Sequence, residues 1–250
     1  MPFKKNKYSG LEFDSNMIES ILNKPVRPVN QAIPVSLSRQ SYDDVIEARI
    51  GAIFVDLVDS TSFSKELSPI NARIFQAYVA EVQSALEECE SITKDQGIRG
   101  DCVYSIVDAS GGDALWKLMK AACRIDSMMA ELNESILKIC PHKPGFNKHT
   151  WKGLQAGIGL GVSNGFVVKV GAYGSANKDR IWLGDAVVDA CNLASRAGRK
   201  GNASVMVSEE FCVSWPYKNT LLAPDLVREF RYSGDSYGVS FDRFGMLLYL

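Results

Sequence analysis

Three short stretches of the chain carry side chains whose types and spacing suit chemistry on phosphate esters. In Asp56-Leu57-Val58-Asp59-Ser60-Thr61 the first carboxylate ends an apolar run. A carboxylate there is costly unless something satisfies its charge. The hydroxyls and backbone N–H groups that follow suit phosphate oxygens, although Asp59-Ser60-Thr61 serves equally well to cap a turn. The second stretch is Arg99-Gly100-Asp101. Gly-Asp alone is an ordinary turn signal, but if this turn meets the first stretch at a sheet edge, Asp56 and Asp101 make a two-carboxylate site for a hard divalent cation. The third is Cys191-Asn192-Leu193-Ala194-Ser195-Arg196. Asn192 and Arg196 stand i, i+4 on one helix face, an amide and a guanidinium suited to a ribose and to a growing phosphoryl charge. A solvated face is the plain alternative, although Asn is a poor interior helix former.

The elements that must position these residues follow from hydrophobic pattern. Ile50–Val58 (IGAIFVDLV) reads as a buried strand. Ser68 and Pro69 open a helix whose stripe is Ile74, Tyr78, Val82, Leu86 and Cys89. Short strands around Ile98 and across Cys102–Val107 flank the Gly100-Asp101 turn. A helix from Asp113 to Ile139 buries Leu115, Met119, Ala122, Met129, Leu132 and Ile136. Gly111-Gly112-Asp113 forms its N-cap. Leu154–Val162 and Phe166–Ala172 read as two strands joined in a hairpin by Ser163-Asn164-Gly165; Gly157, Gly159 and Gly161 alternate inside the first. A helix from Asp185 to Ala197, ended by Gly198, leads into a strand at Ala203–Val207. This order is an α+β, ferredoxin-like one, with the first strand central and beside the hairpin that carries Asp101. Residues 1–45, with Pro25, Pro28 and Pro34, read as an N-terminal arm with a short helix near Asn16–Leu22; residues 46–250 form the domain.

The three stretches, in this order and at these intervals, resemble the class III nucleotidyl cyclases, the catalytic domain of adenylate and guanylate cyclases. Asp56–Thr61 is similar to that family's first metal motif, Asp101 follows a hairpin Gly as its second metal Asp does, and Cys191–Arg196 is similar to its helical Asn/Arg motif. Ala203–Glu209 (ASVMVSE) resembles the strand that follows. The resemblance implies a central, mostly antiparallel sheet flanked by helices, in a head-to-tail homodimer with shared active sites. It implies that Asp56, Asp101 and the Leu57 carbonyl hold two Mn²⁺ or Mg²⁺ ions. Val58, Asp59, Ser60 and Thr61 would cradle the β- and γ-phosphates, Asn192 would orient the ribose, and Arg196 would neutralise charge on the α-phosphoryl group.

Departures from the family pattern bear on the base. Adenylate cyclases place a Lys and an Asp where this chain has Gly97 and Ile181. The Glu/Cys pair of guanylate cyclases is absent too. Trp182 and Leu183 add bulk beside Ile181, which suits a smaller base. The spacing from Gly184 to Asn192 is one helical turn longer than in the family, so Val188/Asn192 competes with Asn192/Arg196 as the aligned pair; the latter keeps both side-chain types. A domain lacking both purine determinants is similar to the Pycsar pyrimidine cyclases of bacterial antiphage defence. That likeness implies UTP, or next CTP, as substrate, and a cyclic product that acts on a separate effector protein. Phe54, Arg99 and Tyr42 are candidates to meet the base edge. A catalytically inactive nucleotide- or partner-binding domain and a purine cyclase with atypical base recognition are the alternatives.

Composition bounds the partners. The 250 residues hold 28 Lys and Arg against 29 Asp and Glu, a net charge of −1. So balanced a chain lacks the broad basic surface that nucleic acid or anionic lipid needs. No apolar run is long enough to insert in a membrane, and the start has no signal-peptide pattern. The cysteines, Cys89, Cys102, Cys123, Cys140, Cys191 and Cys212, are too widely spaced for a zinc or redox pair. A reduced, cytoplasmic protein with core cysteines is the expectation.

Overall fold

The computed structural model describes residues 15–24, 28–29, 33–34, 36–60, 68–171, 178–216, 227–232 and 236–241. Helix α1 spans Ser15–Leu22 and the short strand β1 Pro28–Val29. Strand β2, Val45–Leu57, is the axis of the fold. Its second half pairs antiparallel with β4 (Cys102–Asp108), from Ile50↔Asp108 to Val55↔Val103. Along its whole length it pairs antiparallel with β5 (Ala156–Gly171), from Val45↔Val168 to Leu57↔Ala156. It begins five residues before the Ile50 expected from pattern because β5, and β1 in parallel, support Val45–Arg49 where β4 does not reach.

Helix α2, Pro69–Leu86, starts as its sequence requires: Ser68 Oγ accepts the Asn71 N–H at 3.2 Å, and Pro69 takes the first helical position. Strand β3, Thr93–Arg99, then turns into β4 through Gly100, whose φ of 65° suits a residue without Cβ. Helix α3 spans Ala114–Ile139. Asp113 stands at its N-cap position but does not cap with its side chain; the carboxylate pairs instead with Lys117 at 2.7 Å. α2 and α3 cover one face of the sheet, burying Tyr78, Val82, Leu118 and Met119 against Ile53, Val55, Val103 and Ile158. Four of the cysteines, Cys89, Cys123, Cys140 and Cys212, are buried core residues, while Cys102 is half-buried and Cys191 exposed.

The hairpin expected at Ser163-Asn164-Gly165 does not form. β5 runs unbroken for 16 residues, because its thirteen-residue register with β2 outweighs a local turn composition. Gly165 is small for another reason: a side-chain carbon there would lie 2.4 Å from the Leu183 carbonyl oxygen. The antiparallel partner of β5's second half is β6, Lys178–Leu183, from Phe166↔Leu183 to Gly171↔Lys178. Helix α4 (Asp185–Arg196), strand β7 (Val205–Ser208), helix α5 (Glu209–Ser214) and strands β8 (Val227–Tyr232) and β9 (Ser236–Phe241) complete the fold. The sheet order is β3-β4-β2-β5-β7-β9-β8, and all its pairings are antiparallel except β1–β2 and β5–β7.

α4 lies on the opposite face of the sheet from α2 and α3, and its seat is made of absent side chains. Gly157, Gly159 and Gly161 share one face of β5. A Cβ at these positions would come 2.4, 2.0 and 2.2 Å from the carbonyl oxygens of Ala194, Ala190 and Ala186. Helix backbone therefore rests on strand backbone, with Ala186, Ala190 and Ala194 buried between them.

Candidate active site

Asp56 is next to last in β2, and its side chain projects to the α4 face because successive strand residues alternate. Asp101 follows Gly100 in the β3–β4 turn. The strand order that makes β4 the neighbour of β2 brings the two carboxyl groups into hydrogen-bonding contact. Burial pushes the Asp56 carboxyl above its ordinary range, the neighbouring Asp101 charge pushes it further, and the Arg199 guanidinium pulls it partly back. Two carboxylates this close repel each other, and a cation between them relieves that repulsion.

Arg199 is the side chain at this site that the sequence did not point to. Its Nη2 donates to Asp56 Oδ2 at 2.8 Å and to the Leu57 carbonyl at 3.2 Å. Two of the three expected metal ligands thus converge on a positive group. Hard oxygen donors of this kind suit Mg²⁺ or Mn²⁺, and the residues present fit such an ion. Among the described residues no group of three or more His, Cys, Asp or Glu is placed to hold a metal. The Leu57 carbonyl therefore matters to the set. In the core, the Tyr78 hydroxyl is buried without a hydrogen-bond partner. Burial raises the phenol's pKa, and Cys102, Asp56 and Asp101 raise it further. A buried hydroxyl left unpaired costs about 1–3 kcal/mol. Tyr78→Phe should therefore raise the metal-free denaturation midpoint in urea, the reverse of an ordinary core truncation.

The expected phosphate cradle is narrower than its four residues. The Val58 N–H is already committed, donating to the Gln155 carbonyl at 2.8 Å and so extending the β2–β5 ladder. Asp59, exposed, turns the chain with φ 57° and Ser60 follows; Thr61 lies outside the described residues.

On the same face as Asp56, Phe54 stacks on Tyr104 with ring centroids 5.3 Å apart and planes 16° from parallel. Gly97 lies under Tyr104: a side-chain carbon at 97 would come 2.7 Å from the phenol oxygen. The ring of Tyr104 thus fills the space that a longer side chain at 97 would need. Burial and Asp95 raise the Tyr104 phenol pKa, while Arg99, hydrogen-bonded to it, lowers it. Trp182 packs in the same cluster and donates from Nε1 to Asp95 at 2.9 Å. Ile181, next along β6, is 42% exposed and faces the other way, beside Leu183 and Phe166. Tyr42 is not part of the stack; its ring lies under Lys169, 4.9 Å from the ammonium. Phe54, Gly97 and Arg99 therefore meet at Tyr104, Trp182 joins them only through the shared core and Asp95, and Ile181 and Tyr42 do not.

Asn192 and Arg196 share one wall of a cavity of about 710 Å³ with Arg49, Ser163, Asp189 and Glu209. Neither Asp56 nor Asp101 lines that cavity. Within one chain, it is Arg199, three residues beyond Arg196, whose guanidinium is paired with Asp56. Val188, of the competing register, is 57% exposed on α4.

This strand order, with helices on both faces of a mostly antiparallel sheet, is the fold of a class III nucleotidyl cyclase domain. The adenylyl cyclase CyaB from P. aeruginosa superimposes with a TM-score of 0.56 over 80% of this chain and 97% of its own, at 19% identity. No family model matches the chain. In sequence it is similar to two curated proteins named uridylate cyclase. One, from Treponema porcinum, is 28% identical over 170 residues, 68% of this chain and 56% of that protein. The other, from Gulbenkiania mobilis, is 26% identical over 204 residues, 77% of this chain and 74% of that protein. The chain thus spans little more than half of the Treponema protein. No helix among the described residues is long and apolar enough to cross a membrane.

Proposed function

We propose that the chain converts a pyrimidine nucleoside triphosphate, UTP in preference to CTP, into the 3′,5′-cyclic mononucleotide and pyrophosphate. The observation that carries this reading is the contact of Asp56 and Asp101 beside the Leu57 carbonyl, a partly buried oxygen set whose charge calls for a divalent cation. Bound there, Mn²⁺ or Mg²⁺ would supply Lewis acidity toward the ribose hydroxyl and the phosphates. The chain's own residues hold and orient the substrate. The Phe54–Tyr104 stack offers a flat wall for the base, and Asp59 and Ser60, just past the end of β2, would meet the triphosphate. Asn192 and Arg196 line a cavity that Asp56 and Asp101 do not, which supports a head-to-tail homodimer in which they serve the partner's site. There Asn192 orients the ribose, and Arg196 offsets charge on the α-phosphoryl group as pyrophosphate leaves in line.

The pyrimidine preference is supported by Tyr104, which occupies the space over Gly97, and by the similarity to uridylate cyclases. The cyclic product would act as a second messenger on a separate effector in antiphage defence, as the Pycsar resemblance implies. Incubation with each of the four triphosphates and Mn²⁺ tests the reading. Cyclic UMP, with less cyclic CMP, is the expected product; cyclic AMP or cyclic GMP overturns the pyrimidine assignment, and no product at all favours a binding domain. Tyr104→Ala should open the base wall and raise the turnover of ATP or GTP relative to UTP by about tenfold, a shift of the size one pocket contact supplies. An unchanged ratio would remove Tyr104 from base selection.

A further inference from the structure

We propose that Arg199 is a resident cation of the metal site, one that a divalent ion must displace. The inference rests on the reading above and deepens it. Asp56 Oδ2 and the Leu57 carbonyl are occupied by one guanidinium nitrogen. These are the oxygens a divalent ion needs, and two positive groups on the same pair repel each other strongly in a partly buried site. The side chains of Arg199 and Asp56 are 26% and 22% exposed, so water and ions have access while the pair is still shielded.

The arrangement is built, not incidental. Gly157 stands directly opposite Asp56 across the β2–β5 ladder, and a Cβ there would press within 3.1 Å of Arg199 Nη1. The backbone turns toward the site through Gly198, at φ 67°. Nη1 is held separately, at 3.1 Å from the Ala194 carbonyl and 3.4 Å from the Ala197 carbonyl. These belong to the last turn of α4 and the residue beyond it, the negative end of the helix dipole. The guanidinium therefore has two independent anchors. When an ion takes Asp56 and Leu57, the helix-end contacts can persist, so Arg199 stays near the site as a tethered positive group. Exchange at the carboxylate is then felt by α4, the element that carries Asn192 and Arg196. In the empty site Arg199 compensates one of two carboxylate charges, which keeps the site formed without metal but sets a threshold for loading.

Direct Mn²⁺ binding, followed by the electron paramagnetic resonance of the free ion without nucleotide, tests this. Arg199→Gln should bind Mn²⁺ about tenfold or more tightly than the wild type, the loss of a charge-assisted hydrogen bond to the competing group. Arg199→Lys, which keeps the charge but not the planar fork, should fall between them. The Mn²⁺-induced rise in melting temperature should be larger in Arg199→Gln than in the wild type, even if its metal-free melting temperature is lower. Equal or weaker Mn²⁺ binding by a folded Arg199→Gln overturns the exchange, as does no binding by either protein. Tighter binding by the variant, with no cyclic product from any triphosphate in the wild type, would leave the exchange standing and refute the cyclase reading.

Discussion

Asp56→Asn should reduce cyclic-nucleotide formation by about a thousandfold or more, the several kcal/mol that a metal ligand contributes to stabilising charge in the transition state. The same substitution should not weaken the fold. The folded-state pKa of Asp56 is raised, first by burial and then by Asp101. Its ionised form therefore opposes folding, and the metal-free protein loses this contribution as pH rises from the ordinary carboxylate value through the raised one. Above that window an uncharged amide costs less than the carboxylate, and its oxygen can still accept from Arg199. Urea denaturation of the metal-free proteins at neutral pH should find Asp56→Asn at least as stable as the wild type. A dead and less stable variant would mean that lost structure, not lost chemistry, explains the effect. Arg196→Ala should lose on the order of 10²–10³ in rate. Mixing the two inactive variants should restore roughly a quarter of wild-type activity, since half of randomly paired dimers carry one intact site of two. No recovery on mixing would place both roles within one chain.

Gly159→Val should abolish folding. At the middle of the α4 seat a Cβ would lie 2.0 Å from the Ala190 carbonyl oxygen and 2.5 Å from the Ala194 amide nitrogen. Both are backbone atoms of a helix that cannot turn aside as a side chain does. Overpacking of flexible cores costs about 1–3 kcal/mol, and a clash between two backbones exceeds that range. The measurement is the yield of soluble protein and its melting transition. Gly201→Ala is the control, because nothing lies within 4 Å of a Cβ at 201; its φ of 84° makes it strained but uncrowded. If Gly159→Val folds with a melting temperature above that control, the seat is not what holds α4.

What is legible in the sequence depends on the range of each interaction. Ser68-Pro69 and Gly100 act within a few residues, and the cap and the turn are legible in the sequence. The burial of β2 and the meeting of its carboxylate with Asp101 followed from strand order alone. Ser163-Asn164-Gly165 was misleading because turn residues cannot announce that a partner strand will hold them extended. The Val58 N–H was lost to Gln155, and Tyr104 was overlooked above Gly97, for the same reason: each is decided by a neighbour on another strand. Arg199 was harder still. Its role needs Gly157 to leave room, Gly198 to turn the chain and Asp56 to attract it, three residues on two elements. The alternating glycines were correctly read as strand. Their purpose shows only beside Ala186, Ala190 and Ala194.

That seat has a vernier's arithmetic. Two strand residues advance about 6.6 Å, whereas four helix residues advance about 6.0 Å. Each successive tooth is therefore out of step by roughly 0.6 Å. Three teeth mesh, with the tightest at Gly159 and the misfit shared between the ends. At position 163, where a fourth would stand, Ser163 Oγ instead accepts the Ala186 N–H at 2.9 Å. Sliding α4 along β5 would require disengaging every tooth at once, while rocking about the central one requires only that the ends lift. Asn192 and Arg196, on either side of the last tooth, can thus tilt but not drift.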